Sequence, residues 1–196
     1  MLDTAISAPA VHERLAIPAA VAAAVLNAGV AAVQVLAPAQ PAAGHHFVRA
    51  SDYVIEILFA ASLLITACAV LLLARYLREF GQWGTFGMVA ASAYALSTGL
   101  FGISAAATAA RGVETLDVIQ FPAIVLWLAA GLLMAIATAR ARTLPIVVGL
   151  GFAAALPASM ALGTAGPLAL TVLWAAVAAA LARRRAGGGP AAAVSL

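Results

Sequence analysis

Charge is what this sequence has least of. Only 9% of its 196 residues are Asp, Glu, Lys or Arg, against roughly 25% in a soluble domain. A water-facing surface of ordinary polarity cannot be built from so few. Lysine is missing altogether. All ten basic residues are arginine, which together with heavy alanine use reflects the codons of a GC-rich genome. The single cysteine, Cys68, excludes a disulfide within the chain and sits in an apolar run, where a thiol is a small packing residue. The adjacent His45 and His46 point in different directions and fall short of the three or four ligands a zinc site needs, so no metal or other cofactor is expected. The net charge of +3 does not imply a nucleic-acid partner, because the arginines sit at the ends of apolar runs and no soluble domain presents them.

What the chain has is hydrocarbon. Hydrophobic residues make up 65% of it, gathered into six runs at about 15–36, 53–74, 84–109, 117–139, 144–162 and 166–182. Each is near the roughly 20 residues that cross a bilayer core as a helix, the form that satisfies every backbone N–H and C=O internally. The last two runs are parted only by Gly163-Thr164-Ala165-Gly166 ahead of Pro167. Without a turn there, they would form one helix of roughly 58 Å, too long for any bilayer. The first run exceeds the 7–15 residues of a signal-peptide core, and it is expected to span although Ala37-Pro38-Ala39 resembles a cleavage site.

Arginine placement orients the spans. Arg14, Arg75, Arg78, Arg140, Arg142, Arg183, Arg184 and Arg185 fall on one side, and only Arg49 and Arg111 on the other. Positive residues stay cytoplasmic. The expectation is therefore an all-α membrane protein, a bundle of six transmembrane helices in the cell membrane with both termini cytoplasmic. Residues 1–185 form its single domain, and 186–196 a disordered cytoplasmic tail. Its partners are the lipid bilayer and a lipophilic small molecule.

Four of the seven acids, Asp52, Glu56, Glu114 and Asp117, fall at the outer end of this bundle. Asp52 and Asp117 stand where helix N-caps belong. Glu56, four residues after Asp52, shares its helix face and lies a turn below the surface among aliphatic neighbours. A carboxylate facing lipid there costs a few kcal/mol, so it should turn inward, to pair with Arg49 or Arg111 or to take up a proton. Gln120 lies one turn below Asp117 on the same face. Gln34, on one face of the first helix with Asn27, sits at the level of Glu56. Tyr94 lies mid-span, and Trp127 is too deep for an interface belt. Trp83 is expected at the interface, Trp174 in packing, and Pro157 as a kink in the fifth span.

In its small all-helical architecture and membrane-level acids, the chain resembles, along its whole length, the integral-membrane terpene cyclases. That family has seven spans where this chain has six, and no motif is shared. The resemblance implies Glu56 and Asp117 as catalytic acids. A buried, neutral carboxylic acid would protonate an olefin or epoxide, and the π faces of Tyr94 and Trp127 would stabilise the cation. Asp52, Gln34 and Gln120 complete the polar candidates for touching substrate. Two alternatives stand beside this one. The first is a non-catalytic accessory or scaffold protein, in which the polar residues only cross-link helices. The second is a small proton-coupled carrier, for which the two halves show no sequence echo.

Overall fold

The computed structural model describes residues 11–37, 47, 49–79, 83–112, 119–142 and 144–186. Its elements are α1 (Val11–Leu36), α2 (Ala50–Glu79), α3 (Gly84–Arg111), α4 (Gln120–Ala141), α5 (Ile146–Ala161), a single 3-10 turn (Gly163–Ala165) and α6 (Pro167–Ala186). Five helices are long and apolar enough to cross a membrane; α5, with 16 residues, is shorter. At 1.5 Å per residue it reaches about 24 Å, against a hydrocarbon core of about 30 Å.

Each helix packs on its neighbours in the chain, and α6 closes against α1. The result is a ring of six helices. Its outer faces carry large apolar side chains: Phe121 is 74% exposed, Val172 69% and Leu132 58%. So much exposed hydrocarbon is untenable in water and natural in lipid. The inner faces are rich in alanine and glycine, which let backbones approach closely. A Cβ on Gly131 would lie 2.6 Å from the carbonyl oxygen of Phe152, so α4 and α5 meet almost backbone to backbone there.

Aromatic rings fill the centre. Tyr94, Phe152 and Trp174, from α3, α5 and α6, are each at most 1% exposed. Tyr94 meets Phe152 edge-on at 5.4 Å, and Phe152 meets Trp174 at 6.0 Å. Edge-to-face pairs contribute about 0.5–1.5 kcal/mol each beyond their buried area. Asn27 is fully buried between α1 and α2, where its amide donates to the Ala23 carbonyl at 2.8 Å and to Thr66 Oγ1 at 3.4 Å.

Three expectations need correction. Asp52 is not the N-cap of α2, because the helix begins at Ala50 and Arg49 precedes it. Asp52 instead reaches back: its Oδ2 accepts the Arg49 backbone N–H at 3.0 Å, as the third residue of a capping box does. Trp83 is 2% exposed rather than interfacial, with its indole packed over Gly87, where a Cβ would come within 2.7 Å of the ring. Cys68 faces outward rather than into the packing. Pro157 lies inside a continuous α5, on an exposed face. Glu114, Asp117, His45, His46 and the tail beyond Ala186 fall outside the described residues.

Candidate functional site

Alternate connections place the C-terminal ends of α1, α3 and α5 and the N-terminal ends of α2, α4 and α6 at one end of the ring. This is the arginine-poor end, with Arg49 and Arg111. Here the ring opens into a recess of about 190 Å³, lined by at least one residue from every helix. Only a site near the ring's axis can touch all six helices, so the recess is an axial vestibule. Its floor is aromatic. Phe59 of α2, Phe101 of α3 and Trp127 of α4 form it, with ring centroids 6.0 Å apart from Phe59 to Phe101 and again from Phe101 to Trp127. Leu156 of α5 and Leu170 of α6 complete the apolar wall.

Below the floor the axis is closed. Tyr94 meets Trp127 edge-on at 6.0 Å and links it to the buried Phe152 and Trp174. The Trp127 indole N–H and the Tyr94 hydroxyl are both buried without a hydrogen-bond partner among the described residues. Polar groups sit instead at the rim. Gln34 lies two residues before the end of α1, and Ser159 two before the end of α5. Ser159 Oγ donates to the Gly166 carbonyl at 3.0 Å, bracing the tight turn into α6.

The candidates from sequence distribute as follows. Gln34 and Trp127 line the vestibule together, and Tyr94 stands directly behind Trp127. Glu56 is half-buried and has an interaction partner. It lies one helical turn outside Phe59 and at i−3 to it, so the two are neighbours on the α2 surface. This puts Glu56 beside the vestibule rather than among its lining residues. Asp52 is buried one turn further out. Gln120, half-buried, is the first residue of α4 and does not line the recess.

Phe59 and Phe101, which form the floor with Trp127, and Phe152, which closes the axis beneath it, were not singled out in the sequence. An aromatic within a continuous apolar run gives no periodic signal of which way it faces. At the same end, the segment before α2 is pinned to the end of α3. The Phe47 N–H donates to the Gly112 carbonyl at 2.9 Å, and the Phe47 ring meets Tyr53 edge-on at 5.1 Å. Gly112 caps α3 at φ 64°, and the Tyr53 phenol occupies the space where a Cβ would stand, so both backbone and packing demand glycine. Among the described residues no group of three or more His, Cys, Asp or Glu is placed to hold a metal. No protein-family model, curated protein or solved structure matches this chain.

Proposed function

We propose that this multi-pass membrane protein is an enzyme that takes the end of a lipophilic, isoprenoid-like molecule into the axial vestibule and protonates it from Glu56. The vestibule is the observation that carries the reading: an apolar recess with an aromatic floor, at the same end of the ring as the embedded carboxyl. Its volume of about 190 Å³ exceeds the ~150 Å³ of an apolar cavity that holds benzene. One ring or the end of a chain fits, while the rest of the molecule extends toward the bilayer.

In the reaction, the neutral Glu56 carboxyl gives its proton to an alkene carbon. The π electrons of that alkene form the new C–H bond and leave a cation on the neighbouring carbon. A second alkene of the same molecule closes on the cation, and loss of a proton to the carboxylate restores the acid. The π faces of Phe101 and Trp127 stabilise the positive charge. The orientation belongs to the same proposal. With eight of ten arginines at the opposite end, both termini are cytoplasmic, α5 is the fifth span of six and the vestibule faces outward.

A proton-coupled carrier is the weaker reading, because Tyr94, Phe152 and Trp174 fill the axis below the recess. Expression in cells supplied with isoprenoid precursors, followed by lipid extraction, tests the proposal. Wild-type protein yields a cyclised product, and Glu56→Gln yields none while inserting and melting as wild type does. A Glu56→Gln protein that fails to fold would assign Glu56 to a structural ion pair. Binding without any product would leave an accessory protein.

A further inference from the structure

We infer that the molecule held in the vestibule is an uncharged lipophile bearing a hydroxyl group, seated with its hydrocarbon on the aromatic floor and its oxygen at the rim. This rests on the reading of the vestibule as the substrate site and adds the chemical class of the substrate.

The first argument is charge. The described lining residues include no Arg, Lys, His, Asp or Glu. A diphosphate or carboxylate head placed here would lose its water without gaining a counter-charge. The second argument is the placement of the polar groups. Gln34 and Ser159 both lie at the helix ends that form the rim, whereas Phe59, Phe101 and Trp127 lie deeper. The third argument is donor and acceptor inventory. Ser159 spends its hydroxyl proton on the Gly166 carbonyl, so it offers the vestibule only lone pairs. The Gln34 carboxamide offers both N–H donors and an acceptor.

An alcohol matches the chemistry of both residues, with a proton for Ser159 Oγ and lone pairs for the Gln34 amide. A ketone can accept from Gln34 but leaves Ser159 facing carbon. A hydrocarbon offers nothing to the Gln34 carboxamide or to the lone pairs of Ser159 Oγ. The order of affinity is therefore alcohol, ketone, hydrocarbon, with anionic esters excluded.

Trp127 forms part of the floor and is one of three tryptophans in the chain, so its emission reports occupancy. The experiment titrates purified protein in nanodiscs with geraniol, the hydrocarbon myrcene and geranyl diphosphate. Geraniol should change the emission saturably, and Trp127→Phe should remove the change. Myrcene should bind about five- to tenfold more weakly, the value of one or two hydrogen bonds. Gln34→Leu should weaken geraniol by a similar factor and leave myrcene unaffected, and the diphosphate should give no response. Equal affinity for geraniol and myrcene, an unchanged affinity for geraniol in Gln34→Leu, or saturable binding of the diphosphate would overturn the inference while leaving the vestibule reading intact. If no lipophile alters Trp127 emission, both fail.

Discussion

Replacing Gly131 by alanine tests the closeness of α4 and α5, on which the ring's aromatic centre depends. The added Cβ would stand 2.6 Å from the Phe152 carbonyl oxygen, 3.3 Å from its carbonyl carbon and 3.4 Å from the Ala153 Cα. These are backbone atoms, with no rotamer to turn away, so α5 as a whole must move outward. Overpacking of this kind costs about 1–3 kcal/mol. Alanine's better helix propensity returns up to about 1 kcal/mol, leaving a net loss of up to about 2 kcal/mol. Gly29 supplies the control, since a Cβ there meets nothing within 4 Å. Gly29→Ala should gain up to about 1 kcal/mol from propensity alone. At about 2–4 °C per kcal/mol, the two variants should melt several degrees apart in the same detergent, with Gly131→Ala below wild type. The shift of α5 should also loosen the 5.4 Å contact between Phe152 and Tyr94, visible in near-UV circular dichroism. A Gly131→Ala protein as stable as Gly29→Ala would refute the close α4–α5 contact.

The remaining predictions concern single side chains. Tyr94→Phe removes a buried hydroxyl that makes no hydrogen bond of good geometry, so stability should stay within about 1 kcal/mol of wild type or rise. Tyr94→Ala, which empties the space between Trp127 and Phe152, should cost about 3–5 kcal/mol in the same melts. Gly112→Ala puts a Cβ into the Tyr53 phenol at a positive φ; a drop in stability of roughly 1–3 kcal/mol is expected, reduced when Tyr53→Ala is made as well. Glu56→Gln keeps hydrogen-bonding capacity and shape, so loss of product with an unchanged melting temperature is expected if the carboxyl works as an acid.

Much of this architecture was legible because lipid leaves the sequence few choices. The positions of α1, α3 and α5 follow the apolar runs within a few residues. By contrast, α2 continues to Glu79, past Arg75 and Arg78, because a helix does not end where the hydrocarbon does. The depth of the candidate residues was also legible, since counting residues along a helix counts ångströms. Gln34 lies two residues before the end of α1 and Trp127 seven residues into α4, as their positions in the runs imply. Rotation about each helix axis was not legible. In a helix apolar on every side, no polar face marks which residues turn inward, so the convergence of Phe59, Phe101 and Trp127 left no trace in the pattern. Trp83 was misplaced for a related reason: a tryptophan beside a span end can lie in the headgroup region or fold over a neighbouring glycine, and the indole over Gly87 settles it here. Asp52 was misplaced by three residues, because an acid supports a helix start both as the cap and as the residue that reaches back to it.

Photolabelling reports most directly on whether the recess at the arginine-poor end receives a lipophilic molecule. A diazirine-bearing prenyl alcohol, activated in proteoliposomes and mapped by peptide mass spectrometry, should mark the peptides containing Phe59, Phe101 and Trp127, and unlabelled geraniol should compete the marking away. Labelling confined to outward-facing residues such as Leu132 and Val172, unaffected by competitor, would mean that the molecule meets this protein only as bulk lipid.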